Sequence, residues 1–458
     1  MSNVRTRSAA VEKMAADWPL ISALLDGSPE MRRMGEAYMP RQPREEKEDW
    51  QYRLDTATLY PAFERTVEIL AGKPFSKQLV IGENVPARLK GWLELVDLRR
   101  NLHVFAASVF EEAVAFGLSG ILVDYPTVSG LRTVAEEKKA GVRPYFVHVR
   151  AQNILGWRSK VVAGRETLTQ LRLLEQVEEE DGEFGTDVVE QVRVLYPGYW
   201  EVWRQAADRR RKWIKVDEGL SLARIPFVPV YGKQVAFMVG KPPLLSLAEM
   251  NRDHWRESSD QRDSVRFARK RLLVLSGIDG GKEIVASSNY ALQLPQGADA
   301  KIVQGSAESV KIGREEINTI EEQMRQAGAE LLVMRPGKIT ATQTASEDQG
   351  NLCALQRMAL DLEDSLDEAL QLMAEWVSEP AGGNVTVFKD FGAASMDAAS
   401  AEFLLKMNQA GKLSDETLFA ETQRRGIVTP DVKYADEKDR IDMQGPAPGS
   451  VTDPDRDE

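Results

Sequence analysis

The 458-residue chain has one cysteine, Cys353, and only three histidines, His103, His148 and His254. A single thiol excludes an intrachain disulfide and suits a reducing cytosol. The histidines lie far apart, and none has a partner at metal-ligand spacing. Positive charge is short too: 59 Lys and Arg against 71 Asp and Glu leave a formal charge of −12. That balance argues against a protein whose main task is gripping nucleic-acid phosphates, because such binding scales with the charge neutralised. It allows one that lets a polyanion slide past. No window approaches the ~18 uninterrupted apolar residues of a membrane span. The opening MSNVRTRSAAVEKMAADW has no apolar core of signal-peptide length. The expectation is a soluble, intracellular chain with no membrane contact.

Catalytic patterns are equally scarce. GIDGGKE, Gly277 to Glu283, is one residue short of a phosphate-binding loop and lacks a Ser or Thr after Lys282. It reads as a turn. Gly117-Leu-Ser119-Gly120 needs one more residue before its second glycine to be a nucleophile elbow. His103 falls in an amphipathic helix and His148 in a strand, so both read as structural. Cys353 has no neighbouring histidine and reads as packing. Asn384-Val-Thr matches a glycosylation sequon but means nothing without secretion. The carboxylates fall on solvated helix faces rather than in pairs framed by apolar residues. No cofactor, no metal and no enzymatic activity are expected.

What is present is the mixture of a globular α+β protein, with 43% hydrophobic and 28% charged residues. The length suggests about three structural units. Trp50, Leu54, Phe63, Val67 and Leu70 mark a helix that Pro61 should kink or split. The spacing of Trp92, Leu95, Leu98, Leu102, Phe105 and Val109 predicts a second helix over 88–117, followed by a buried strand from Gly120 to Pro126. From 143 to 231 the chain is β-branched and aromatic-rich, which predicts an antiparallel sheet with DGEFGTD at a hairpin tip. Three helices are then expected, from Pro243 to about Arg271, Arg314 to Leu332 and Glu347 to Val377, the last with a heptad-like stripe from Leu352 to Trp376. A strand VTVFKDF, a helix from Asp397 to Ala410 and another N-capped by Ser414 and stopped at Gly426 come next, then a disordered tail over 443–458.

The basic residues concentrate between 252 and 271, where seven Arg and Lys against four Asp and Glu leave +3. Arg252/Arg256 and Arg262/Arg266 are each one helical turn apart. Two readings stay open: a helix laced with ion pairs, or a cationic segment facing DNA or a partner. Arg209 to Lys212 form a second cluster, read as a solvated turn.

Four segments together resemble a tailed-phage portal protein. AYMPRQPREEKEDWQYRL carries Tyr-x-Pro, then acidic residues, then a helix with aromatics and an arginine. LLSLAEMNRDHWRESSDQRDSVRFARKRLLVLSG resembles a portal stem helix, LQLPQGADAKIVQGSAESV with IEEQMRQAGAELL the segment after it, and AGKLSDETLFAETQRRGIV a C-terminal module. The resemblance covers most of 30–440. It implies an N-terminal arm and mixed α/β wing (1–241), a stem helix (242–269), a small α/β clip (270–313) and a second stem helix (314–332). A channel loop (333–346), a long wing/crown helix (347–378), a helical crown (379–442) and an acidic tail (443–458) would follow. A long C-terminal helical barrel is not expected in so compact a chain.

Portals are rings, normally of about twelve subunits, at one capsid vertex; they admit double-stranded DNA during packaging, release it at ejection and hydrolyse nothing. The implied partners are further copies of the chain, the DNA, terminase, the major capsid protein or scaffold, and head-completion or adaptor proteins. The implied location is the virion, and the host cytoplasm during assembly. Twelve copies at −12 carry about −144, which keeps a polyanion from sticking to the wall. Arg262 and Arg266, or Arg335 and Lys338, would supply local positive rings, and Thr340, Thr342 and Gln343 neutral contacts. The alternatives are another head-vertex protein, such as an adaptor or minor capsid protein, and a metal-dependent nuclease, which would need a carboxylate cluster.

Overall fold

The computed structural model describes residues 3–126, 142–206, 212–269, 272–277, 297–303, 307–332, 352–389, 405–424 and 432–444. The N-terminal part is helical: α1 (Ala9–Ala15), α2 (Trp18–Leu25), α3 (Ser28–Arg33), α4 (Lys47–Thr56) and α5 (Ala62–Gly72). Pro61 does split its segment, standing between α4 and α5. After β1 (Val80–Ile81), the single helix expected over 88–117 is broken into α6 (Ala87–Lys90), a 3-10 turn at Leu93–Leu95 and α7 (Leu102–Phe116). The break has a local cause. Asp97 Oδ1 accepts from the amides of Arg99 and Arg100, Leu98 adopts φ 68°, and Asn101 Oδ1 caps α7 through the Val104 amide at 3.0 Å. Apolar spacing alone does not register such a turn.

Gly117 ends α7 at φ +83°, and a Cβ there would stand 2.3 Å from the Lys241 carbonyl carbon, so only glycine fits. It leads into β2 (Leu118–Asp124), the buried centre of an antiparallel sheet β3–β2–β9, where β3 is Tyr145–Arg150 and β9 is Phe227–Tyr231. Both α7 and the late helix α10 (Ala354–Trp376) pack on this sheet. Trp376 Nε1 donates to the Val123 carbonyl at 3.1 Å and its ring stacks on Tyr125.

The expected β region forms a five-stranded antiparallel meander: β4 (Ile154–Val162), β5 (Arg165–Asp181), β6 (Gly185–Tyr196), β7 (Tyr199–Gln205) and β8 (Trp213–Leu220). β4 is an edge strand that the sequence reading does not single out. Alternation divides the two faces. Leu171, Leu173 and Leu195 join the main core, whereas Val192 and Val194 form a small second cluster with Leu155. Residues 182–184 turn the long β5–β6 hairpin, as DGEFGTD suggests. A short hairpin, β10 (Lys233–Ala236) and β11 (Val239–Lys241), precedes α8 (Leu245–Arg269).

Beyond α8 lie the ribbon β12 (Leu272–Ser276) and β13 (Asp299–Val303), then α9 (Ala307–Ala329), which begins well before the expected Arg314. α10 starts at Ala354 rather than Glu347 among the described residues. Cys353 is buried, as its packing role requires, but it also caps α10: its Sγ accepts from the Gln356 amide at 3.4 Å and Gln356 Oε1 accepts from its amide at 2.9 Å. The strand expected at VTVFKDF shrinks to β14 (Val385–Thr386), paired with β1. Carboxylates on α10 take the place of a longer ladder, with Asp367 accepting from Val385 and Glu363 from Val387.

Residues 405–409 are helical, and α11 (Asp415–Arg424) is capped by Ser414 Oγ through the Thr417 amide at 3.2 Å, as its sequence indicates. α12 (Tyr434–Gln444) closes the described chain. Residues 397–404, Gly426 and 445–458 lie outside the described residues, as does the Arg209–Arg211 part of the second basic cluster.

Candidate functional site

Two long helices and the ribbon between them form the most distinctive part of the molecule. α8 and α9 run antiparallel, fixed by Gln261 Nε2 on the Val310 carbonyl at 2.6 Å and by His254 Nε2 against Glu321 Oε1 at 3.3 Å. Gly313 allows the close approach, since a Cβ would meet Gln261 Oε1 at 2.2 Å. The buried residues of α8 are Leu247, Ala248, Asn251, His254, Trp255 and Ser259, all in its first two-thirds. In α9 they are Met324 and Gly328, near its end. The pair is therefore rooted in the body at one end and projects at the other, where β12 and β13 continue it. Phe267, Val274, Ile302 and Ile312 are exposed on this projection.

The root is held by polar contacts that the sequence does not announce. Asn251 satisfies the backbone that Pro61 interrupts: Oδ1 accepts from the Phe63 amide and Nδ2 donates to the Tyr60 carbonyl, both at 2.9 Å. Arg53 on α4 is buried and forms a fork on Glu45 at 2.8 and 2.9 Å, with Nη1 on Asp260 Oδ1 of α8 at 2.8 Å. That fork holds the Glu45 carboxyl below its ordinary range. Asp260 moves the other way: burial pushes it up despite the neighbouring Arg53. The stretch around Tyr38, Pro40 and Arg53 is thus the socket in which the helix pair is seated.

Arg262 and Arg266, expected to contact DNA, come together at the C-terminal end of α4. Arg262 Nη1 donates to the Thr56 carbonyl at 2.7 Å and to Thr58 Oγ1 at 3.1 Å. Arg266 bonds Asp263 and Thr56 Oγ1, and its guanidinium lies 4.5 Å over the Tyr52 ring. Arg252 and Arg256 both pair with Asp253. The ion-paired helix is therefore present, and cations at the end of α4 also suit its dipole. Arg335, Lys338, Thr340, Thr342 and Gln343 lie outside the described residues. The residues flanking that stretch meet at a cavity of about 530 Å³, lined by Leu331 and Leu352 together with Lys233, Arg357 and Asp361.

The histidines have structural surroundings. His103 Nδ1 accepts from the Leu79 amide at 3.2 Å. His148 Nε2 and Ser119 Oγ are 2.9 Å apart, but Ser119 is fully buried in β2 and offers no nucleophile to solvent. Burial pushes His148 down to about 4. Among the described residues no group of three or more His, Cys, Asp or Glu could hold a metal ion, and no helix is long and apolar enough to cross a membrane.

Near His148 lies a residue that sequence reading missed. Glu112 lines a cavity of about 280 Å³ with Glu111, Arg100 and Arg150, and accepts from the Ala151 amide at 3.3 Å. Burial raises its carboxyl to about 7. Because the folded value exceeds the unfolded one, the ionised form is penalised in the fold. The penalty is absent well below the ordinary carboxylate value and complete above about pH 7. Glu112→Gln keeps the acceptor for Ala151 and should stabilise the chain by about 2–3 kcal/mol at pH 8, allowing for partial exposure, with little effect at pH 4. Thermal unfolding at the two pH values checks this; equal shifts would mean that the side chain is hydrated.

A family model described as a domain of unknown function, DUF4055, matches residues 243–377, the stretch from the foot of α8 to the end of α10. No curated protein matches the chain in sequence. Among solved structures, the chain is similar to one from the neck of a native GTA particle computed with C12 symmetry, at 12% identity and TM-score 0.41, covering 80% of this chain and 90% of that one. One from the neck of an empty GTA particle computed with C6 symmetry gives 12% identity, TM-score 0.40 and the same coverages, 80% and 90%. One from the virion of a native gene transfer agent particle gives 12% and 0.39, covering 86% of this chain and 97% of that one.

Proposed function

We propose that the chain is a portal subunit, one copy in a ring at the head–tail vertex of a phage-like particle through which double-stranded DNA enters and leaves. The observation that carries the proposal is the projection: two antiparallel helices, rooted through Arg53 and Asn251, that carry a two-stranded ribbon with apolar residues uncovered. Among the described residues the ribbon has no third strand, and two strands alone are marginal in water and require neighbours. Further copies of the chain supply them in a closed ring, normally of about twelve subunits, and the ribbon end is the surface for terminase and later for head-completion proteins. The wall facing the capsid meets the major capsid protein or scaffold. The work is conduction rather than catalysis. A helix pair with a small intervening module in a chain of this length favours a portal over an adaptor ring or minor capsid protein.

Native mass spectrometry and negative-stain images of the purified chain should show a closed ring with a central opening; monomer or dimer alone across micromolar concentrations would refute the proposal. Within the ring, Arg335 and Lys338 present positive charge to the passing DNA, with Thr340, Thr342 and Gln343 as neutral contacts, while Arg262 and Arg266 brace the wall behind. Replacing Arg335 and Lys338 together by alanine should leave assembly intact and lower DNA packaging or retention. A full genome packaged and retained at the normal rate would remove the channel assignment.

A further inference from the structure

The meander β4–β8 carries a second feature that conduction does not use. Its outer face is covered at one end by the N-terminal arm, residues 3–8, pinned by Arg5 on Glu190, by the Ser8 amide on the Leu155 carbonyl at 2.8 Å and by Arg172 Nη1 on the carbonyls of Val4 and Thr6. Between arm and sheet lies a cavity of about 440 Å³. Its lining includes Arg7, Arg158 and Arg172 with the aromatic rings of Tyr196 and Trp203, and no carboxylate among the described residues. None of the three arginines has an ion-pair partner among the described residues, and the Arg7 Nε is buried without an acceptor. Arg172 has only carbonyl acceptors and Arg7 lies over the Trp18 ring. In a chain of charge −12, three guanidinium groups around one cavity, with no carboxylate partner among the described residues, therefore call for an anion.

The same sheet presents the complement. The β5–β6 hairpin extends beyond its neighbours to a tip containing Glu180, Asp181 and Glu183, none ion-paired among the described residues, with Phe184 92% exposed. The tip cannot serve its own cavity. From Arg172 to Asp181 the extended strand spans on the order of 30 Å at ~3.3 Å per residue, and the hairpin is held straight by its ladder.

We propose that the cavity receives the β5–β6 tip of a second copy of the chain, with Glu180, Asp181 and Glu183 meeting Arg7, Arg158 and Arg172 and with Phe184 against Tyr196 and Trp203. The contact is heterologous, tip to cavity, so it leaves a free tip and a free cavity at the ends of any open array and is satisfied throughout only in a closed one. It rests on the ring proposed above and names a contact that holds that ring together.

The test uses the full chain. Arg158 is exposed and its side chain makes no hydrogen bond among the described residues, so Arg158→Glu should leave the β4–β5 pairing intact and fold normally. It should raise the concentration needed for assembly at least tenfold, and Glu183→Arg in the same chain should restore assembly. Cysteines at Thr6 and Glu183 together should give a ladder of covalent multimers under mild oxidation, with neither single variant doing so. Rings that form with no ladder, and that ignore both charge changes, would overturn this contact while leaving the ring proposal standing. A covalent dimer from Glu183→Cys alone would show tip meeting tip and also overturn it. No ring from the unaltered chain would sink the ring proposal itself.

Discussion

Arg53→Ala is expected to destabilise the chain by about 3–5 kcal/mol at neutral pH, the usual cost of removing one partner from a buried charge pair. The side chain is 3% exposed and satisfies four acceptors: both Glu45 oxygens, Asp260 Oδ1 and the Pro40 carbonyl. Alanine leaves two carboxylates facing each other across the seam between α4 and α8. Lysine restores the charge but not the fork, so Arg53→Lys should recover only part of the loss. The pH dependence has a definite sign. Glu45 is depressed in the fold, so its contribution is present above its unfolded value and lost as pH falls through its folded one. The difference between parent and Arg53→Ala should therefore be widest near neutrality and shrink below about pH 4, where the stranded carboxyls protonate. Urea unfolding at pH 7 and pH 4 measures both; a difference under 1 kcal/mol at pH 7 would show that water replaces the guanidinium.

Arg53 also illustrates what a sequence conveys and what it withholds. The stretch around it is recognisable as a pattern, yet its partner Asp260 is about 200 residues away, and no periodicity pairs the two. Periodicity did convey the buried faces: Leu355, Leu362, Leu366 and Met373 of the expected stripe are buried in α10. It failed where a side chain diverts the backbone. Asp97 stops a helix that the apolar spacing continues, and Glu363 and Asp367 take amides that a strand would otherwise pair. Arg262 and Arg266 show the same limit from the other side. Their spacing places them on one helix face, but only the fold reveals that Thr56 waits there. The cationic cavity had no sequence signal, since Arg7, Arg158 and Arg172 come from the arm and two strands, and the sheet register brings them together.

A triple change of Phe267, Ile302 and Ile312 to serine should abolish assembly while leaving the monomer folded. The three side chains sit on α8, β13 and α9 of the projection and are 53%, 57% and 59% exposed. None contributes to the main core, so circular dichroism and the thermal midpoint should stay close to those of the parent. In a ring they would lose that exposure, and covering about half of each large side chain is worth ~1–1.5 kcal/mol. Together that is about 3–4.5 kcal/mol per subunit contact, or on the order of 10²–10³ in the association constant. Every contact in a closed ring bears the same loss, so rings present at micromolar concentration should give way to monomers. Native mass spectrometry separates the outcomes. Undiminished rings with the parent's stability would mean that the projection stands free of its neighbours, and the subunit contact would then have to lie in the body of the molecule.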